Sequence, residues 1–267
     1  MLTGIGKIYN WRKYQFPLKL SIESVLSGAD EFCLVVCTDS QDDTVDYCGA
    51  LEKSFGGRLK LVFSKWIVDP AEGKYNMRRL ADLAILKAKN DWVLSVDMDE
   101  VYRPGEIAGL VKQLRILPEQ YGGCTVNFVH FHISPHYRVF GKLYDRSARV
   151  GRKSMGWHSY NDGFGLEGQG QVYISSTTCN HYGFVRSAED TIKKELNFQE
   201  TLYKPVDTQF PDPRLVEYME KLNKGERIDK DDFYKYMLGE KDFITGYNGM
   251  HFPGVIEWYK KINGIED

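Results

Sequence analysis

The sequence predicts an α/β protein: a mainly parallel sheet with flanking helices, then a mixed half and C-terminal helices. Three observations carry that reading. Continuous apolar runs closed by polar turn residues recur at "EFCLVVCTDS", "RLKLVFSKW" and "DWVLSVD", as buried parallel strands do. Between them lie segments with apolar residues at helical spacing. The connections are short, and such alternation gives a parallel sheet covered by helices.

Taken in order, "MLTGIGKIYN" reads as a short, abbreviated opening strand. "LKLSIESVLSG" has helical spacing and stops on Gly28. The first clear strand follows, and "DDTVDYCGALEKSFGG" returns to helix and ends on glycines. After the second strand, "NMRRLADLAILKAKN" is amphipathic, with Met77, Leu80, Leu83, Ala84 and Leu86 to Ala88 as its expected inner face. "PGEIAGLVKQLRIL" is a helix with Pro104 near its first turn. Beyond about residue 122 the style changes: "CTVNFVHFHI", "YRVFGKLYDRSARV" and "QVYISSTTCNHYGF" read as strands of an antiparallel or mixed sheet. "SAEDTIKKELNFQETLY" is a helix with Ser187 as N-cap and Asp190 three residues on. "PVDTQFPDP" breaks the chain, and helical fragments follow. The expected organisation is 1–121 as the parallel α/β half, 122–209 as the mixed half of the same domain, and 210–267 as a helical extension.

The bulk numbers are those of a globular chain: 267 residues, 42% hydrophobic, 27% charged, net charge −2. That balance gives no argument for nucleic acid. The five cysteines contain no CxxC, so neither a disulfide framework nor a zinc site is expected, and a reducing, cytoplasmic setting follows. No apolar leader and no run of about 18 apolar residues is seen, which leaves only peripheral membrane contact open.

One segment asks for chemistry. "DWVLSVDMDEVYRPGE" is an apolar strand that ends on Asp97, Asp99 and Glu100 and turns through Pro-Gly into a helix. In parallel sheets ligands bind beyond the carboxyl ends of the strands. Asp39, closing "VVCTDS", lies at the same edge. Asp97 and Asp99 are two residues apart on an extended chain and start on one side. Hard oxygen ligands suit Mg²⁺ or Mn²⁺, which keep positions for phosphate oxygens. A second acidic triplet, Asp229 to Asp231, reads as a solvated helix start.

"DWVLSVDMDE" resembles the DxD segment of GT-A fold glycosyltransferases, family 2 and its relatives above all. "YNWRK…SIESVLSGADEFCLVVCTDSQDDT" and "MRRLADLAILKAKNDW" resemble the stretches that precede it, and the likeness covers roughly residues 8–105. The resemblance implies a nucleotide-sugar-dependent transferase using Mn²⁺ or Mg²⁺, with inversion, acting on a glycan such as a surface polysaccharide, a lipid-linked sugar or a protein. It implies Asp97 and Asp99 as metal ligands and, from "CNHYGFVRSAED", His181 as the third. It places Asp39 on the base or ribose, with the Asn10 to Arg12 turn bordering that pocket. Arg78 or Arg79 would add a cation near the phosphates. A catalytic base is expected in "GWHSYNDGFGLEGQG", Asp162 first and Glu167 second, with Trp157 stacking on a sugar. His130, His132 and His136 form an H-x-H-x₃-H spacing, expected as strand packing near the acceptor groove.

Two other classes fit a similar sheet. A nucleotidyltransferase would open with a glycine-rich, basic loop, which "GIGKIYNWRK" imitates only faintly. A non-catalytic nucleotide- or sugar-binding module would keep the acids without turnover.

Overall fold

The computed structural model describes residues 1–67, 75–140, 146–160, 165–199, 212–229, 232–233, 235–236 and 243–265. Four strands form the parallel core in the order β3-β2-β1-β4: β1 (Leu2–Ile8), β2 (Glu31–Cys37), β3 (Leu59–Ser64) and β4 (Trp92–Ser95). The crossovers are α1 (Leu18–Leu26), α2 (Thr44–Ser54) and α3 (Tyr75–Lys87). One face is covered by α1, α2 and α4 (Glu106–Ile116) through Leu18, Ile22, Val25, Leu51, Ile107 and Leu110. The other is covered by α3 through Leu80, Ala84 and Ile85. The buried face of α3 is turned from the expected one: Ile85 is buried and Leu86 is 74% exposed.

The opening strand is not abbreviated. All seven residues of β1 are buried, and β1 pairs with both β2 and β4, with Ile5 opposite Cys33 and Ser95. It reads as poor because its apolar volume is supplied by its neighbours. A Cβ on Gly4 would lie 2.6 Å from the Phe32 ring, and one on Gly6 would lie 2.4 Å from the Met98 methyl.

Beyond β4 the sheet continues without a break but changes sense. β8 (Arg146–Arg152) is antiparallel to β4, and β6 (Tyr121–His132) is antiparallel to β8. β7 (Ser134–Phe140) is antiparallel to β6. Short β11 (Gln171–Tyr173) and longer β12 (Thr178–Phe184) run parallel to β6, and β12 also takes β5 (Glu100–Tyr102) antiparallel. β9 (His158–Tyr160) and β10 (Gly165–Glu167) form a separate two-stranded sheet. α5 (Ala188–Phe198) begins as expected, with the Ser187 hydroxyl accepting from Asp190 N at 3.0 Å.

The C-terminal stretch contains helices α6 (Pro213–Asn223) and α7 (Val255–Ile262). It also contains a strand that the helical reading did not include. β13 (Phe243–Gly246) pairs with β7 and extends the sheet edge, as suits the β-forming run Phe-Ile-Thr closed by Gly. All five cysteines are free and buried. Among the described residues no helix is long and apolar enough to cross a membrane.

Candidate active site

The acidic turn sits where β4 leaves the sheet. Val96 N still donates to Ile5 O (2.9 Å), Glu100 N closes the turn on Asp97 O (2.9 Å), and Tyr182 N of β12 donates to Asp99 O (2.8 Å). The turn is thus held between β1 and β12. Met98 points away into the space over Gly6, and the acids face the edge.

The β1–β4 register carries Lys7 to the level of Asp97, two residues beyond the Ile5–Ser95 pair. Lys7 Nζ donates to Asp97 Oδ1 at 3.0 Å, and Arg149 from β8 donates both terminal nitrogens to Oδ2 at 3.3 Å. Arg149, fully buried, also holds Glu100 Oε1, and Asp97 N donates to Glu100 Oε2 at 3.0 Å. Burial works to raise the Asp97 carboxyl, but Lys7 and Arg149 outweigh it and hold Asp97 well below the usual carboxylate range. Burial pushes Glu100 up to about 8, against the pull of Arg149.

Asp99 has looser company. Its Oδ2 accepts from Lys194 Nζ of α5 at 3.3 Å, and its Oδ1 lies 3.7 Å from His181 Nε2. Here too burial opposes ionisation while Lys194 and His181 override it, so the carboxyl is lowered. Burial holds the His181 imidazole neutral, down to about 3. Its Nδ1 shares a hydrogen bond with His130 Nδ1 at 2.9 Å, which leaves Nε2 facing Asp99. Gly183 sits against the pair: a Cβ there would come within 2.6 Å of the His181 ring and 3.2 Å of Asp99 Oδ2.

The remaining expected residues have their own partners. Asp39 Oδ1 accepts from Trp66 N at 2.8 Å. Asn10 is buried in a left-handed conformation (φ 51°), and its Oδ1 accepts from Gln41 N at 2.6 Å. Arg12 is exposed and paired with Asp43 at 2.5 and 2.7 Å. Arg78 makes a helical pair with Asp82 at 3.6 Å, and Arg79 gives its two terminal nitrogens to Ser64 Oγ and Lys65 O. Glu167 is exposed on β10 and meets His158 Nε2 at 3.1 Å. Asp162 lies outside the described residues. His130 and His132 are buried in β6, as strand packing requires, and His136 is exposed on β7.

Trp157 does not stack on a ligand: it is buried, with Nε1 donating to Gln169 O at 2.7 Å. The glycines of its neighbourhood make a slot for this indole. A Cβ on Gly123, Gly151 or Gly168 would lie within 2.6 Å of Trp157 atoms. Sequence reasoning missed Lys7, Arg149 and Lys194, and gave His130 only a packing role. The available signal was a lone cation inside an apolar strand, "GIGKI" and "SARV".

Among the described residues no three His, Cys, Asp or Glu side chains form a ready-made metal cage. A divalent cation nonetheless fits two of the three expected ligands. Asp99 Oδ1 and a neutral His181 nitrogen meet over the space that Gly183 leaves open, and Mg²⁺ and Mn²⁺ commonly take few protein ligands and fill the rest with water and phosphate oxygens. Asp97 reaches such an ion only by giving up Lys7 or Arg149.

No family model matches the sequence, and no curated protein matches it. Solved structures do resemble it. S. aureus TarS 1-349 in complex with UDP-GlcNAc is 15% identical over 90% of this chain and 76% of its own, with a TM-score of 0.41. The mannosyltransferase from Pyrobaculum calidifontis in complex with GDP-Man and Mn2+ is 11% identical over 88% of this chain and 78% of its own, at 0.47. By its own strand order and helix cover the chain has a GT-A-like fold. At these scores the overlays supply no residue correspondence.

Proposed function

We propose that the chain is a nucleotide-sugar-dependent glycosyltransferase whose donor diphosphate lies along the edge formed by Asp99, His181 and Lys194. One observation carries the reading. A carboxylate and a neutral imidazole converge over a Cβ-less glycine, at the carboxyl edge of a parallel sheet. The DxD-like segment that supplies the carboxylate supports it.

In this reading Asp99 and His181 hold Mn²⁺ or Mg²⁺, which when bound offsets the charge gathering on a departing diphosphate. Asp97, fixed by Lys7 and Arg149, keeps the turn in place. Asp39 has one oxygen committed to Trp66 N and offers the other to the nucleoside, with Asn10 and Arg12 bordering that pocket. Asp162 takes the proton of the acceptor hydroxyl as it attacks, with inversion at the anomeric carbon; Glu167 is the second candidate. The acceptor is a glycan, a lipid-linked sugar or a protein.

The test is a thermal-shift panel of nucleoside diphosphates and nucleotide sugars with and without Mn²⁺. We expect metal-dependent stabilisation by one nucleoside diphosphate, slow hydrolysis of the matching nucleotide sugar, and loss of both in Asp99→Ala. A preference for triphosphates with pyrophosphate release would make the chain a nucleotidyltransferase. Binding without turnover, even with acceptor mixtures, would make it a binding module.

A further inference from the structure

We propose that Arg186, which shares the Phe16 ring with Lys194, forms a binding site for a phosphate-class oxyanion on the β12–α5 side of the acidic turn. Arg186 follows β12 and immediately precedes the Ser187 cap of α5. It is 2% exposed, and none of its three guanidinium nitrogens has a hydrogen-bond partner. No other buried arginine among the described residues is left so. A guanidinium cannot shed its proton to relieve burial, and an unpaired buried charge costs several kcal/mol. Asp99, Glu195 and Asp190 act on it through space, yet none makes a hydrogen bond to it. The chain therefore carries a full, unspent fork of donors.

The neighbourhood says what would spend it. Lys194 Nζ lies 5.5 Å from the Phe16 ring centre, and Arg186 Cζ lies 5.6 Å from the same centre, so one aromatic ring brackets both cations. Asp99 accepts a hydrogen bond from the lysine and none from the arginine. A tetrahedral oxyanion brings more oxygens than a carboxylate, so it can meet the arginine fork and still keep acceptors for a further donor. Phe16 is half-buried, and no guanidinium nitrogen is open to solvent. Entry of the anion therefore requires the Phe16 ring to turn aside. The phosphate has two sources, the donor's diphosphate or a phosphate on the acceptor; only the first rests on the glycosyltransferase reading.

The experiment uses the full chain in EDTA, titrated with inorganic pyrophosphate, a nucleoside diphosphate and glycerol phosphate, by calorimetry and thermal shift. Pyrophosphate should bind without metal, and Arg186→Met should weaken it about 10- to 100-fold. Arg186→Met should also raise the Tm of the ligand-free chain, because an uncompensated buried charge is gone; a merely structural arginine would lower it. Arg186→Lys, which keeps charge without the fork, should fall between the two in affinity and stands in if the Met variant misfolds. Tighter binding of the nucleoside diphosphate assigns the site to the donor, and tighter glycerol phosphate assigns it to the acceptor. No anion binding by the wild type, or equal affinity in Arg186→Met, overturns the site. If Mn²⁺-dependent nucleoside diphosphate binding persists in that variant and metal-free pyrophosphate affinity is also unchanged, the site falls and the proposed function stands. If pyrophosphate binds and no nucleotide does, the reverse holds.

Discussion

The two flanks of the acidic turn are built differently. On the β1–β8 side, Asp97 and Glu100 have their oxygens matched by Lys7, Arg149 and a backbone N–H, and Arg149 is completely enclosed. On the β12–α5 side the Asp99 contacts stretch to 3.3 and 3.7 Å, and Arg186 has no hydrogen bond at all. The same short run of acids feeds both. A matched flank serves as scaffold, because every charge is answered within the fold. In the proposed reading, the unmatched flank is the one that receives a species from outside.

The sharpest way to break that contrast is to remove one cation from each flank. Arg149→Met should cost about 3–5 kcal/mol in urea denaturation, because it strands Asp97 and Glu100 without their buried partner. Lys194→Met should cost less, because it gives up one contact to one acid where Arg149 gives up bonds to two. Equal losses would erase the distinction.

A smaller effect separates the flanks by pH. Burial lowers His132, stacked on Phe184 beside His181, from 6.5 to about 4. Below pH 6.5 the unfolded chain takes this proton first, so this histidine's contribution falls as pH drops toward 4 and levels off beneath that, whereas Glu100, raised to about 8, favours the folded chain as pH falls. His132→Phe should flatten the slope, and the difference between the two proteins should reach about 3 kcal/mol at pH 4. Asp97 contributes little above about pH 5, because there its carboxyl is ionised in the unfolded chain as well as in the folded one. The smallest effect is at the cap: Ser187→Ala should cost about 1 kcal/mol. It should leave pyrophosphate affinity unchanged if Arg186 acts through its side chain and not through the helix start.

The parallel half was legible because each of its strands is a local apolar run and each helix a local period. The Ser187 cap was legible for the same reason, three residues sufficing to write it. The answer to the acids was not. Lys7 lies 90 residues from Asp97, Arg149 lies 52 from it, and Lys194 lies 95 from Asp99. Only strand register brings them together, and register is a property of pairs of segments. Trp157 and its glycines misled for a related reason. A glycine that receives a distant indole and a glycine that receives a ligand are the same letter in the sequence.

The first strand shows how two distant phrases of the chain depend on each other. Neighbouring residues of β1, Gly6 and Lys7, receive Met98 and Asp97, one by leaving room and the other by offering charge. "GIGKI" is therefore a mould for "VDMDE". A longer side chain at position 6 would press on the methionine and tilt the acids off their seat without touching any of them. In a lineage of such chains, residue size at position 6 and at position 98 should drift together, as should the charges at 7 and 97.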